Sequence, residues 1–312
     1  MNFSIIIPFR NEKENLGALL KTLHAQITRA NYEIIMIDDF SQDGGGESVE
    51  SFCGSQSSPV RTKLLRRKDF PDNPKISSKQ NALDIGANFA QYEYLLFTDA
   101  DMVFDENWIE NYNASIEESK ADFVFGRTGI SNCANILDIL QKAQLDFLFS
   151  AAFVFCKLNL KGSAMGNNLA VSASAYKKIG TQAALGFSLT EDKKLLDAAK
   201  KIGMKISCTK DFRALAFTKP LQADKFFHQT LRWVKGGMTE DKVLAFFLIV
   251  FALGNLLILP SFIIILLLLP VFLKHKTGLR HLFLLPFAFF AETLCVAFGL
   301  FFVKLRWKNR RI

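Results

Sequence analysis

Between Val243 and Leu273 the chain runs for 31 residues without a charged side chain. No other feature restricts its fold so tightly. About 20 apolar residues cross a bilayer core, and a soluble helix of this length normally keeps a polar face. A segment in lipid must also satisfy its own backbone, which a single stretch of chain does as a helix. One continuous helix would be about 46 Å long, too long for a ~30 Å core without steep tilt. Pro260 divides it into Val243–Leu259 and Ser261–Leu273. A second apolar block, Leu282–Val303, carries the single acid Glu292, read as a partner at a helix interface. The expectation is a membrane region over 243–312 containing two or three helices.

Charge follows the same division. The net charge is +8, and eight basic residues lie beyond Val243 against Glu292 alone. The first 242 residues are therefore almost neutral, which excludes a basic nucleic-acid-binding domain. The basic stretches Lys274–His281 and Lys304–Arg311 favour the cytoplasmic face and its anionic lipids. Met1–Phe9 lacks the basic start and long apolar core of a signal peptide. Residues 1–242 are thus expected as a cytoplasmic domain carried on a cell (inner) membrane by a multi-pass anchor. The five cysteines are widely spaced, with no Cys-x-x-Cys pair, and read as reduced thiols.

The first half of the chain alternates between two periodicities. Phe3–Ile7, Glu33–Ile37, Thr62–Leu65 and Tyr94–Thr98 are short apolar runs, as in strands buried on both faces. Asn11–Ile27 places Leu16, Leu19, Leu20 and Leu23 at helical spacing, with Asn11 as N-cap, and Ser77–Ala90 is a second helix. This alternation predicts an α/β fold with a mostly parallel sheet. Ala134–Cys156 reads as a buried or membrane-grazing helix, Gly162–Asn168 as a loop of small residues, and Thr190–Ile202 and Ala223–Lys235 as helices.

In such sheets ligands bind beyond the carboxyl ends of the strands. Asp38-Asp39 and Asp99-Ala100-Asp101 stand at two of those ends. Paired carboxylates beside a buried strand repel each other until a cation neutralises them. Mg²⁺ or Mn²⁺ bridging a diphosphate suits that demand, although a helix cap also accounts for one acid. Asp38 beside an apolar strand needs a partner, which a nucleobase amide or a ribose hydroxyl would supply. Asp43-Gly44 reads as a turn, and Gly44-Gly45-Gly46 fits neither a dinucleotide nor an ATP-type phosphate loop. Glu191-Asp192 opens a helix, where acids also favour the dipole. Gln229, Arg232 and Trp233 share one helix face suited to a diphosphate and a stacked sugar, or to a membrane interface.

Six segments in order resemble glycosyltransferase family 2, the inverting transferases of the GT-A fold, over roughly residues 3–236. They are Ile6-Ile7-Pro8-Phe9-Arg10-Asn11-Glu12, Asp38-Asp39-Phe40-Ser41-Gln42-Asp43-Gly44, Lys79-Gln80-Asn81-Ala82-Leu83, Asp99-Ala100-Asp101, Thr190-Glu191-Asp192 and Gln229-Thr230-Leu231-Arg232-Trp233. The last two look most like the membrane-bound branch that includes cellulose and hyaluronan synthases.

The resemblance implies a GT-A domain over 1–242 and roles for its residues. Pro8, Phe9 and Glu12 line the nucleotide pocket, and Asp38 and Asp39 hold uracil and ribose. Lys79 lies near phosphates or ribose, Asp99 contacts the ribose, the donor sugar or the metal, and Asp101 binds the metal. Asp192 is the general base, and Arg232 binds the diphosphate. Trp233 stacks on the acceptor, with Gln229, Asn167 and Asn168 on the acceptor side. The synthases carry membrane helices ahead of their catalytic domains, whereas the first strand here begins at residue 3. A single transfer from a nucleotide sugar to a lipid-linked or membrane-associated acceptor is therefore expected over processive export. Transfer onto polyprenyl phosphate, and a non-catalytic nucleotide-sugar sensor, are the alternatives.

Overall fold

The computed structural model describes residues 1–55, 60–160, 162, 164–240, 306–307 and 310–311. The expected membrane helices within 243–303 lie outside these residues. The chain divides into two compact units, Met1–Gly129 with Ala152–Lys219, and Ile130–Ala151 with Pro220–Ile312.

Strand β1 (Phe3–Phe9) is buried along its whole length, which is why its sequence shows no alternation. It lies between β2 (Tyr32–Asp38) and β4 (Tyr94–Thr98), parallel to both, and β3 (Arg61–Arg66) joins β2 in parallel. These strands belong to a seven-stranded sheet of order β3-β2-β1-β4-β8-β6-β9. Beyond β4 the sheet is mixed. β8 (Asn168–Ser172) runs antiparallel to β4 and to β6 (Phe123–Phe125), and β9 (Ile206–Cys208) is parallel to β6. A three-stranded sheet holds β5 (Met102–Phe104), β7 (Thr128–Ile130) and β10 (Ala216–Thr218).

Helix α1 (Lys13–His24) buries Leu16, Leu19, Leu20 and Leu23, the stripe read from the sequence. Asn11 is not its cap. Asn11 takes φ +56°, its side chain accepts from Gln42 N (2.8 Å) and its N–H donates to Ser41 Oγ (3.1 Å), so it joins the loops after β1 and β2. Helix α2 (Gly45–Ser55) begins within the glycine run, directly after Asp43-Gly44. Asp43 organises that start, accepting from Gly45 N (2.9 Å) and Lys13 N (2.8 Å). Helix α3 (Ser78–Phe89) has a full capping box between Ser77 and Gln80. It packs tightly on the sheet, since a Cβ at Gly86 would stand 2.5 Å from Ile6 Cγ2. In α4 (Trp108–Ser119), Trp108 stacks on Phe104 at 3.9 Å within the core. The short helices α6 (Ala173–Ile179) and α7 (Thr181–Leu185) lead to α8 (Glu191–Lys201).

The second unit contains most of α5 (Ile136–Lys157) together with α9 (Ala223–Glu240). Gln141 donates to Leu221 O and accepts from Leu221 N, both at 2.8 Å, which ties the start of α9 to α5. By length and composition alone, α5 is apolar enough to cross a membrane.

Candidate active site

The loops after β2 and β3 and the first residue of α3 converge on Asp39. This carboxylate is 1% exposed. Its Oδ1 accepts from Ser78 Oγ and stands 3.5 Å from Arg67 Nη1. Its Oδ2, and Arg67 Nε, are buried without a hydrogen-bond partner among the described residues. Arg67 also pairs with Asp72 and lies 5.2 Å from the ring centroid of exposed Phe40. Asp38 is engaged locally. It accepts from Ser41 N (2.8 Å), and a Cβ at Gly46 would stand 2.7 Å from its Oδ2, so it packs against the first turn of α2.

Two expected pocket residues sit inside the sheet instead. Phe9 is 3% exposed and belongs to the apolar cluster with Leu16, because its side chain falls on the face covered by α1. It shapes the loop through its backbone oxygen, which accepts from Asp39 N (2.8 Å). Pro8 is buried beside it, past Ile6 where β1–β4 pairing ends, so its missing N–H leaves no gap in that ladder.

Asp99 and Asp101 follow β4. Asp101 Oδ2 accepts from Thr218 Oγ1 on β10 (3.1 Å). Burial, together with the charges of Asp99 and Glu12, lifts the Asp101 carboxyl to about 6, opposed by the Thr218 hydrogen bond. Glu12 is the N-cap residue of α1, and Asn15 donates to its carboxylate. Across from this group, Lys79 Nζ lies 2.8 Å from Asp99 Oδ1 and 2.9 Å from Glu191 Oε1. Burial alone would lower the lysine, but the two carboxylates outweigh it and hold its pKa above the ordinary lysine value. One ammonium thus joins the acids after β4 to the first turn of α8.

Asp192 follows Glu191 on that turn. Its Oδ2 accepts from Gly166 N (2.9 Å) and its Oδ1 from Lys193 N (2.8 Å). Only glycine fits opposite it, because a Cβ at position 166 would fall 2.8 Å from Asp192 Cβ. The loop of small residues therefore does meet the expected base. Asn167 Oδ1 accepts from Thr128 Oγ1 (3.0 Å), and its Nδ2 lies 3.5 Å from Met102 Sδ. Asn168 is a correction. It is 2% exposed, its amide oxygen accepts from Trp108 Nε1 and the Tyr112 hydroxyl, and its Nδ2 donates to Arg127 O, so its side chain is buried in the domain's own hydrogen bonds. Gln229, Arg232 and Trp233 lie on α9, partly exposed, in the second unit.

Sequence reading missed Arg67, Thr218 and the pairing role of Glu191. Arg67 directly follows β3 at the same carboxyl edge of the sheet, so the strand-end rule could have found it. Thr218 reaches Asp101 only through β10–β5 pairing across more than a hundred residues, which no local pattern records.

Among the described residues, no three His, Cys, Asp or Glu side chains form a ready metal cage. Asp99 and Asp101 are nevertheless a hard oxygen pair, and Asp101 is raised first by burial and then by the Asp99 charge, a cost that a divalent cation would relieve. The donor set fits Mg²⁺ or Mn²⁺.

Two family models match the chain. "Glycosyl transferase family 2" covers residues 4–180, more than half of the chain, and "Glycosyl transferase family group 2" covers 94–304. The glycosyltransferase GlyG of Streptococcus pneumoniae is 30% identical over 123 residues, 39% of this chain and 38% of that protein. A dolichol-phosphate mannosyltransferase of Pyrococcus furiosus is 31% identical over 102 residues, 33% of this chain and 26% of that one. The chain therefore spans well under half the length of these relatives. The mannosyltransferase PcManGT of Pyrobaculum calidifontis, solved with GDP-Man and Mn²⁺, shares the fold with a TM-score of 0.63 and 12% identity, over 97% of this chain and 88% of that one. The sheet, the acids at its carboxyl edge and the family model agree: the chain belongs to glycosyl transferase family 2.

Proposed function

We propose that this glycosyltransferase is membrane-anchored and inverting, and that it moves a sugar from a nucleotide diphosphate sugar, a UDP-sugar first, to a lipid-linked or membrane-associated acceptor. Residues 1–242 act as the cytoplasmic catalytic domain and 243–312 as the anchor at the inner membrane. The observation that carries the reading is the Lys79 ammonium between Asp99 and Glu191, which joins a metal-type acid pair to the helix turn bearing Asp192.

At the base end, the unpartnered Asp39 Oδ2 and Arg67 Nε form an acceptor beside a donor, the complement of an amide edge such as that of uracil. Asp38 shapes the loop that follows Asp39. Asp101, with Asp99, would hold the cation, whose charge stabilises the leaving diphosphate when it is bound. Asp192 takes the proton from an acceptor hydroxyl, and that oxygen attacks the anomeric carbon of the α-linked donor in one displacement, giving the β product. Arg232 neutralises charge on the diphosphate, while Asn167, Gln229 and Trp233 meet the acceptor.

A second reading, transfer to a polyprenyl phosphate, is favoured by relatives whose names carry that acceptor, the dolichol-phosphate mannosyltransferase among them. A phosphate acceptor is already ionised and needs no base. The test of either reading begins with binding. UDP and Mn²⁺ together are expected to raise the melting temperature by several degrees more than either alone. A protein whose melting ignores every nucleoside diphosphate, with and without the cation, would rule out both.

A further inference from the structure

Helix α3 supplies Lys79 to the site, yet two other polar side chains on it, Gln80 and Asp84, hold something else. Gln80 is fully buried. Its Oε1 accepts from Ser77 N (3.0 Å) and Ser188 N (3.4 Å), and its Nε2 donates to Gly186 O (2.9 Å) and Gln182 Oε1 (3.2 Å). One turn later, Asp84 accepts four hydrogen bonds. Its Oδ1 takes the Tyr176 hydroxyl (2.7 Å) and Gln182 N (2.9 Å), and its Oδ2 takes the Thr181 hydroxyl (2.9 Å) and Ala183 N (2.9 Å). Gln80 and Asp84 are four residues apart and share one helix face. Apart from the Ser77 cap, everything they hold lies between Tyr176 and Ser188, the stretch that leads into α8. Ser188 passes the connection on, because its Oγ accepts from Thr190 N (3.0 Å), next to Glu191 and Asp192.

That stretch needs to be held. Gly180, Thr181 and Gly186 have φ of +88°, +62° and +69°. Threonine is β-branched and disfavours this region, which it keeps only where its surroundings fix it. Here the Thr181 hydroxyl is fixed by Asp84. The helix doing the holding is itself pinned, by the capping box at Ser77 and by the close approach of Gly86 to Ile6.

We propose that Gln80 and Asp84 are positioning residues for glycosyl transfer. They hold residues 181–188 against α3, so that one rigid helix sets Asp192 relative to Asp99 and Lys79. The proposal rests on the reading of Asp192 as base. A base displaced by a fraction of an ångström loses rate without loss of nucleotide binding.

The test uses the full-length protein, with turnover read as UDP released from a UDP-sugar in the presence of a cell-membrane extract. Asp84→Asn keeps the acceptor for Tyr176 and Gln182 N and loses the one for Thr181 and Ala183 N. It is expected to lower kcat about tenfold with donor KM within about twofold, and to cost nothing further in an Asp192→Asn background. Amide exchange across 181–190 should quicken while β1 and β2 stay protected. Gln80→Glu keeps the cap and loses both donations, and it serves as the second variant if Asp84→Asn does not fold. Wild-type kcat, an equal fold-loss in both backgrounds, or unchanged exchange at 181–190 would overturn the proposal. Full turnover in Asp192→Asn alone would instead sink the base assignment and the catalytic half of the proposal, and the exchange rates would still decide whether the tether exists.

Discussion

Asp192→Asn is expected to slow acceptor-dependent release of nucleoside diphosphate by about 100- to 10,000-fold while leaving nucleotide binding intact. The amide keeps the size of the side chain and one acceptor oxygen, so one of the hydrogen bonds from Gly166 N and Lys193 N survives while the other N–H faces an NH2 group. The loss that stops the reaction is the lone pair that takes the acceptor proton. Because the change lies at the opening of α8, away from Asp39 and Arg67, the binding of UDP alone should match wild type within about twofold. A variant with wild-type turnover would remove Asp192 from the chemistry and favour a phosphate acceptor that carries its own charge.

Asp101→Asn should act on the other half of the reaction. It removes the carboxylate best placed to share a cation with the diphosphate, and turnover is expected to fall about 100-fold or more and to become insensitive to Mn²⁺ concentration. The pH dependence gives a sharper signature. The Asp101 carboxyl is raised to about 6 in the folded protein from an ordinary 3.8. The folded state therefore binds a proton that the unfolded chain has already released between those values. Without a cation, this group favours folding most at low pH, and the contribution fades as pH climbs through about 6. The proton and the cation compete for one carboxylate, so apparent Mn²⁺ affinity should weaken as pH drops below about 6. Melting curves of wild type and Asp101→Asn, with and without Mn²⁺ over pH 5 to 7.5, read both effects. Identical slopes in the two proteins would remove Asp101 as their source.

Much of this architecture is legible before any coordinates. The strands β1, β2 and β4 are unbroken apolar runs, and α1 shows its buried stripe at helical spacing, because burial on two faces or on one leaves a direct mark on residue order. Acids at strand ends are equally visible. What escapes is whatever depends on distant pairing. Asn168 reads as a polar loop residue, yet it starts β8 and lies buried among Trp108, Tyr112 and Arg127, because side chains sixty residues away satisfy its amide. Asn11 looks like a cap, yet it joins two loops, because Ser41 and Gln42 compete for it. The resemblance puts Lys79 near phosphates or ribose, and the sequence alone gives no sign that Glu191 will come to it from α8. Phe9 belongs to the matching motif but serves the core, since its place on β1 turns it toward α1.

The measurement that bears most directly on the central claim is nucleoside diphosphate release across a panel of nucleotide sugars, with a cell-membrane extract as acceptor. Release is expected from at least one donor, a UDP-sugar first, that needs the extract and Mg²⁺ or Mn²⁺ together and stops when the cation is chelated. Release from no donor, or release that proceeds equally without extract and without cation, would contradict the claim.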